Sequence, residues 1–254
     1  MSVDLFPETL PVLDVAAAQA LRAADCKKHF AVHGLFYDVP IGGAVRSCRS
    51  VLELIAHDLV PAGDPSPVLD RRPDLLVVMM NPGSSRSVDA TFTPPQVETA
   101  EKIRQVRQLV PTVPDTTQYQ VMKVMLARGW RHARVLNLSD LRETKSHNQF
   151  RDLQSLSELP DGDVHSIFSP VRRQELLGHI GPAEGSPPVI LGWGRHKALD
   201  PLAKQCLEAL SGRVAVGVQA PEGPLAYAHP SPMMQKAKDA WIERILGLLK
   251  EAGL

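Results

Sequence analysis

Cysteine, net charge and long hydrophobic runs are what this sequence has least of. Cys26, Cys48 and Cys206 are its only thiols. They stand far apart, odd in number and without a C-x-x-C spacing, which argues against a disulfide framework, a structural zinc site or an iron–sulfur cluster and leaves reduced thiols as the expectation. Twenty-eight basic and 28 acidic side chains cancel, so any nucleic-acid contact must come from a local patch rather than from the whole molecule. No run approaches the roughly 18 apolar residues of a membrane span. The segment Met1 to Pro7 has no basic stretch leading into an apolar one, the pattern of a signal peptide. The expectation is a soluble cytoplasmic protein without a membrane partner. The chain also lacks a G-x-S-x-G nucleophile elbow, a G-x-x-x-x-G-K-[ST] phosphate loop and an H-E-x-x-H zinc helix, which turns attention away from serine hydrolases, phosphate-loop enzymes and zinc peptidases.

What is present is enough for a substantial core. A chain of 254 residues buries roughly 70–75% of its unfolded surface on folding, and the 22 prolines imply many fixed turns. Asp14 is a candidate cap for an Ala-rich helix from Val15 to Lys28, with His29 and His33 on one face if the helix continues. Two histidines without a third ligand make no metal site. Val51, Leu52, Leu54, Ile55 and Leu59 predict a second amphipathic helix over 47–60. The expected organisation is one domain over 1–254, with 1–70 a helical extension packed on it.

Leu75 to Met80 reads as a strand buried on both faces and runs into Asn81-Pro82-Gly83-Ser84-Ser85. Thr93-Pro94-Pro95-Gln96 carries the signature of a capped helix start, with the helix reaching about Val110. A further helix is predicted from Thr116 to Arg128, stopped by Gly129. Arg134 to Leu138 is the next strand, followed by a polar segment that includes Arg142 and Lys145, and a short helix is expected near Gln149 to Leu156. A helix opening at Ser169-Pro170 leads to the strand Val189 to Leu191, which ends in Gly192-Trp193-Gly194. A helix from His196 to Leu210, a strand from Val214 to Val218 and a short strand from Leu225 to Ala228 follow. His229-Pro230-Ser231-Pro232 then leads into the closing helix, with Ser231 as its expected cap and Pro232 at its first position.

Strands alternating with helices predict an α/β fold, a three-layer α/β/α sandwich around a mostly parallel sheet of four to five strands. Ligands of such sheets bind beyond the carboxyl ends of the strands. Asn81, Asn137, the Trp193 turn and His229 all fall at those ends.

Together and in this order, Asn81-Pro82-Gly83, the Asn137 strand, Gly192-Trp193-Gly194 and His229-Pro230-Ser231-Pro232 resemble the motifs of the uracil-DNA glycosylase superfamily, over roughly residues 72 to 245. The resemblance implies that superfamily's fold and a monofunctional, metal-independent DNA glycosylase without a cofactor, a monomer acting on DNA. It implies catalytic roles for Asn81, which would position the attacking water, and for His229, which would donate to the base O2. Asn137 would read the base edge, Phe92 would stack on it, and Trp193 would belong to the substrate pocket. Met233 and Met234 would wedge into the DNA gap, and Ser84, Ser85, Ser231 and Lys236 would hold its backbone. Gly83 stands where the most uracil-selective branch has a tyrosine that blocks C5 of the base. A 5-modified pyrimidine, such as a hypermodified cytosine of phage DNA removed in defence, is therefore as open as uracil. Asn81 cannot take up a proton as a carboxylate would. A non-catalytic sensor of modified bases or nucleotides on the same fold is the alternative, and an enzyme of free nucleosides or nucleotides is a third reading.

Overall fold

The computed structural model describes residues 10–143 and 146–254, the side chains of 146–148 excepted. In chain order the main elements are α1 (Val15–Ala20), α2 (Ala23–His29), β1 (Phe30–Ile41), β2 (Ala44–Ala56), β3 (Leu75–Met79), α3 (Ala100–Gln105), β4 (Leu109–Pro111), α4 (Thr116–Arg128), β5 (His132–Asn137), α5 (Ser146–Leu156), α6 (Arg173–Ile180), β6 (Val189–Leu191), α7 (Asp200–Ala209), β7 (Ala215–Gly217) and α8 (Gln235–Glu251). Among the described residues seven strands form one sheet in the order β4-β1-β2-β5-β3-β6-β7. The right-hand part, β5-β3-β6-β7, is parallel, as expected. The left-hand part is antiparallel, so the sheet is larger than four to five strands and mixed.

The difference lies in β1, β2 and the short edge strand β4. The segment expected as a helix over 47–60 is instead β2, paired along its length with β1. Gly42 and Gly43, at φ 59° and 78°, close the hairpin, the pair of left-handed residues that a two-residue type I′ turn needs. His29 therefore ends α2 while His33 lies on β1, and the expected shared helix face does not exist. In place of the helical extension expected over 1–70, the described residues up to Ala56 form two short helices followed by a hairpin that widens the sheet. The strand pairing is broken once, by a bulge opposite Leu35 and Phe36. Cys48 and Val51 pack into one core and Leu52 into the other, while Ser50 bonds into the network beneath Cys48. Arg49 is thereby turned to the face of Leu52.

Helices cover both faces, an arrangement compatible with three layers. One core, under α3, α5, α6 and α7, gathers Val78, Leu136, Leu138 and Leu191; the other, under α2, α4 and α8, gathers Val77, Met79, Val135 and Ile190. Buried ion pairs brace the first face. Arg172 donates to Asp140 at 2.6 Å, to both Glu175 oxygens at 2.6 and 2.9 Å and to Ser50 at 3.1 Å, and Tyr37 donates to Asp140 at 2.9 Å. Every nitrogen of that guanidinium has a partner, which is what a charge taken out of water requires. The network fixes Asp140 and with it the segment that leaves β5.

Other boundaries moved for local reasons. Asp115 caps α4 through the N–H groups of Thr117 and Gln118, and Gly129 stops it at φ 66°, as expected. Thr93-Pro94-Pro95-Gln96 does not start a helix: Asp38 of β1 donates to Pro95 O and accepts from Val97 N, holding that stretch extended, and α3 starts later with Thr99 as its cap. All three cysteines are buried free thiols. Among the described residues no helix is long and apolar enough to cross a membrane.

Candidate functional site

The ends of β3, β5 and β6 lie together at the carboxyl edge of the parallel half of the sheet, and the turn after β7 comes in beside them. Asn81 follows β3. Its Nδ2 lies 2.7 Å from Glu143 O, 3.1 Å from Gln149 Oε1 and 3.3 Å from Leu141 O. These acceptors fix the amide nitrogen on the protein side, so Oδ1 is turned away from them. Gln149, fully buried on α5, was not foreseen as a site residue. Its segment reads as the start of a short helix, and nothing in the sequence ties it to Asn81.

Asn137 ends β5, level with Met79 of β3. Its neighbours Leu136 and Leu138 point into the opposite core, so its side chain faces with Met79 and Val135. The residue is wholly buried, and neither its Oδ1 nor its Nδ2 has a hydrogen-bond partner. Buried amides are almost always paired, and leaving both ends open costs roughly 1–3 kcal/mol per group.

His229 comes in from the other side. Tyr227 exchanges two backbone hydrogen bonds with Gly194, and Ala228 N donates to Val218 O, while Ala228 O accepts from the Trp241 indole of α8 at 3.1 Å. Pro230 packs so closely on Gly192 that a Cβ there would lie 3.0 Å from its Cδ. This contact brings the β6 turn and the His-Pro-Ser-Pro segment together. The Ser231 N–H donates to His229 Nδ1 at 3.2 Å, which leaves the proton of the neutral ring on Nε2. Burial lowers the pKa of the imidazole, against the pull of the Asp115 carboxylate, and so favours that neutral form. Ser231 is thus engaged with the histidine rather than capping α8, which starts four residues later with no side-chain cap.

The remaining expected residues divide. Phe92 is half-buried and meets Phe36 edge to face at 6.2 Å, with the Arg142 guanidinium 5.3 Å from the Phe36 ring. Arg142 also donates to Ser85 O at 2.8 Å, tying the loop after Asn81 to the segment after Asn137. Ser85 is buried and its hydroxyl has no partner, whereas Ser84 is exposed. Gly83 has φ 59°, and a Cβ added there meets nothing within 4 Å. Trp193 does not join the cluster: it is buried, donates its indole N–H to Leu225 O at 2.8 Å and packs edge to face on Tyr227. Met233 is fully exposed, and Met234 and Lys236 are exposed beside it. Lys145 lies outside the described residues.

Cavities of about 400 and 470 Å³ lie beside α3 and α6 and beside α5 and α7, away from this cluster. Among the described residues no group of three His, Cys, Asp or Glu side chains could hold a metal ion. What the arrangement offers is an amide acceptor, a neutral imidazole donor and a buried amide presenting both a donor and an acceptor. Comparison with protein-family models, curated proteins and solved structures finds no match for this chain.

Proposed function

We propose that this chain is a DNA glycosylase of the uracil-DNA glycosylase type, hydrolysing the N-glycosidic bond of a pyrimidine flipped out of DNA and leaving an abasic site. The observation that carries the reading is Asn137, whose buried amide has no protein partner at either end and offers the paired donor and acceptor that a pyrimidine edge takes up. The sequence resemblance implies the same role for this residue.

The chemistry follows from the two flanking groups. As the glycosidic bond breaks, its electron pair moves to the base and negative charge grows on O2, while the sugar becomes cationic. His229 Nε2–H donates to that oxygen. A water held by Asn81 Oδ1 attacks C1′ and its proton passes to solvent or the departing base. An amide cannot act as the base, so Asn81 contributes position and turnover is slow. Phe92, backed by Phe36, provides a face for the base, and the exposed Met233 and Met234 provide the apolar wedge that offsets unstacking. The open space at Gly83 favours a pyrimidine enlarged at C5, of which hypermodified phage cytosine is one source.

Base release from oligonucleotides bearing one uracil, thymine mismatch, hydroxymethylcytosine or glucosylated hydroxymethylcytosine tests the reading, scored as alkali-labile sites. Release lost in His229→Ala supports it. Failure to release any base, with binding retained, favours the sensor reading, which Asn81 in place of an acid also suits.

A further inference from the structure

Arg49 is a second buried polar group that the fold leaves open on the same face as Asn137. It is 1% exposed, and its Nε and Nη1 are both buried without a hydrogen-bond partner. Arg172, on the opposite face of the sheet, shows how this protein treats a guanidinium it uses for structure: every nitrogen is bonded and two carboxylates are in contact. Arg49 has neither. Burial lowers its pKa to about 10, with Asp115 and Asp140 opposing the shift, so the side chain remains a cation at neutral pH. A buried cation with open donors is what an anionic ligand completes.

Its place in the sheet says which part of a ligand it meets. Across the strand ends the order is Arg49 on β2, Asn137 on β5, Asn81 after β3 and His229 against the turn after β6. Arg49 N donates to Asp140 O, three residues beyond Asn137. A base read by Asn137 with its O2 toward His229 therefore turns its far edge, C4 and C5, toward Arg49.

We propose that Arg49 is the specificity-determining residue of the site and binds an oxyanion, such as a carboxylate or a phosphate ester, carried on the C4–C5 edge of the flipped pyrimidine. The assignment rests on the glycosylase reading only for the orientation of the base. The anion-binding role of Arg49 stands on the geometry.

The test uses the full chain, Arg49→Gln and Arg49→Lys, with fluorescence anisotropy of oligonucleotides carrying a single 5-carboxycytosine, 5-hydroxymethylcytosine or cytosine, and base release measured on the same strands. The expected result is a preference of roughly 10- to 100-fold for the carboxylate in the native protein, falling to about one in Arg49→Gln and partly kept by Arg49→Lys. Equal binding of the three strands by the native protein overturns the proposal, as does a preference that survives in Arg49→Gln. Carboxylate-dependent binding without release leaves Arg49 in its role and removes the glycosylase. Release without the preference does the reverse. A last arm compares cytidine with its 5′-monophosphate: a phosphate-dependent, Arg49-dependent affinity indifferent to the base would move the oxyanion to the phosphate and overturn its assignment to the base.

Discussion

Asn137→Leu should make the protein more stable and inactive at once. Leucine branches at Cγ as asparagine does and replaces Oδ1 and Nδ2 with two methyl groups at the same positions. In the folded chain both polar atoms are buried and unpartnered, a standing cost of roughly 2–6 kcal/mol for the pair. The slightly larger side chain must be fitted between Val135 and Met79 on one face of neighbouring strands, which costs about 1–3 kcal/mol. The balance is a gain of about 1–3 kcal/mol, or roughly 2–10 °C in Tm for a domain of this size. Differential scanning calorimetry and urea unfolding measure it, with base release on the same preparations. A side chain kept for the fold would behave in the opposite way. If Asn137→Leu unfolds at lower temperature or lower urea than the native protein, the amide is doing structural service and the pocket argument fails.

Four further outcomes follow from the geometry. His229 is lowered in pKa and accepts from Ser231 through Nδ1, so the acid limb of base release should lie below pH 6.5 and vanish from the profile of whatever residual activity His229→Gln retains. Gln149→Leu removes one of the acceptors that orient Asn81; a fall of about tenfold in kcat with little change in KM is expected in single-turnover and steady-state assays, and an unchanged kcat would show that the two backbone carbonyls suffice. Gly192→Ala pushes a Cβ against Pro230 and the Met79 sulfur and should cost about 1–3 kcal/mol together with most of the activity, read by urea unfolding and base release. Burial pushes the pKa of both His165 and His179 down to about 4, while the unfolded chain protonates near 6.5. The unfolded state then binds more protons between those values, so stability falls as pH drops, by up to roughly 3 kcal/mol per ring. Asp140, its carboxyl pushed up to about 6, works in the other direction and offsets about one ring, so Tm measured from pH 7 to 4.5 should fall.

The parallel half of this fold could be read in the sequence because each of its strands is a short apolar run ending in a polar or glycine turn. Met79 and Asn137 emerge level with each other as that reading requires. The antiparallel half could not, and the reason is physical. From Cys48 to Ala56 β2 is buried on both faces, which erases the alternation that marks a strand, and Val51, Leu52, Leu54 and Ile55 fit a helical spacing equally well. The Gly42–Gly43 turn was the local signal for the hairpin. Arg49 was hidden by the same ambiguity, since an arginine on a supposed surface helix draws no attention. Gln149 lay beyond sequence reasoning altogether, because its contact with Asn81 spans 68 positions and leaves no local pattern. Trp193 was placed by the company it keeps in a motif, and its indole turned out to be engaged by Leu225.

The bulge in β2 gives this protein an unusual dependence on arithmetic. Regular alternation backward from Leu52 would send Arg49 toward Arg172 and Ser50 toward Asn137. The bulge, in which Ser50 is itself the extra residue, exchanges the two, placing the serine where the ion pairs need a hydroxyl and the unpartnered cation on the face of Asn137. Deleting Ser50 would therefore leave Arg49 on its present face, now directly beside Val51 in a regular ladder with β1, and would take away only the hydroxyl that bonds Arg172 and Glu175. The extra residue is what lets one strand serve both faces, making the spacing between the hairpin turn and Val51 as binding a constraint as the identity of any side chain.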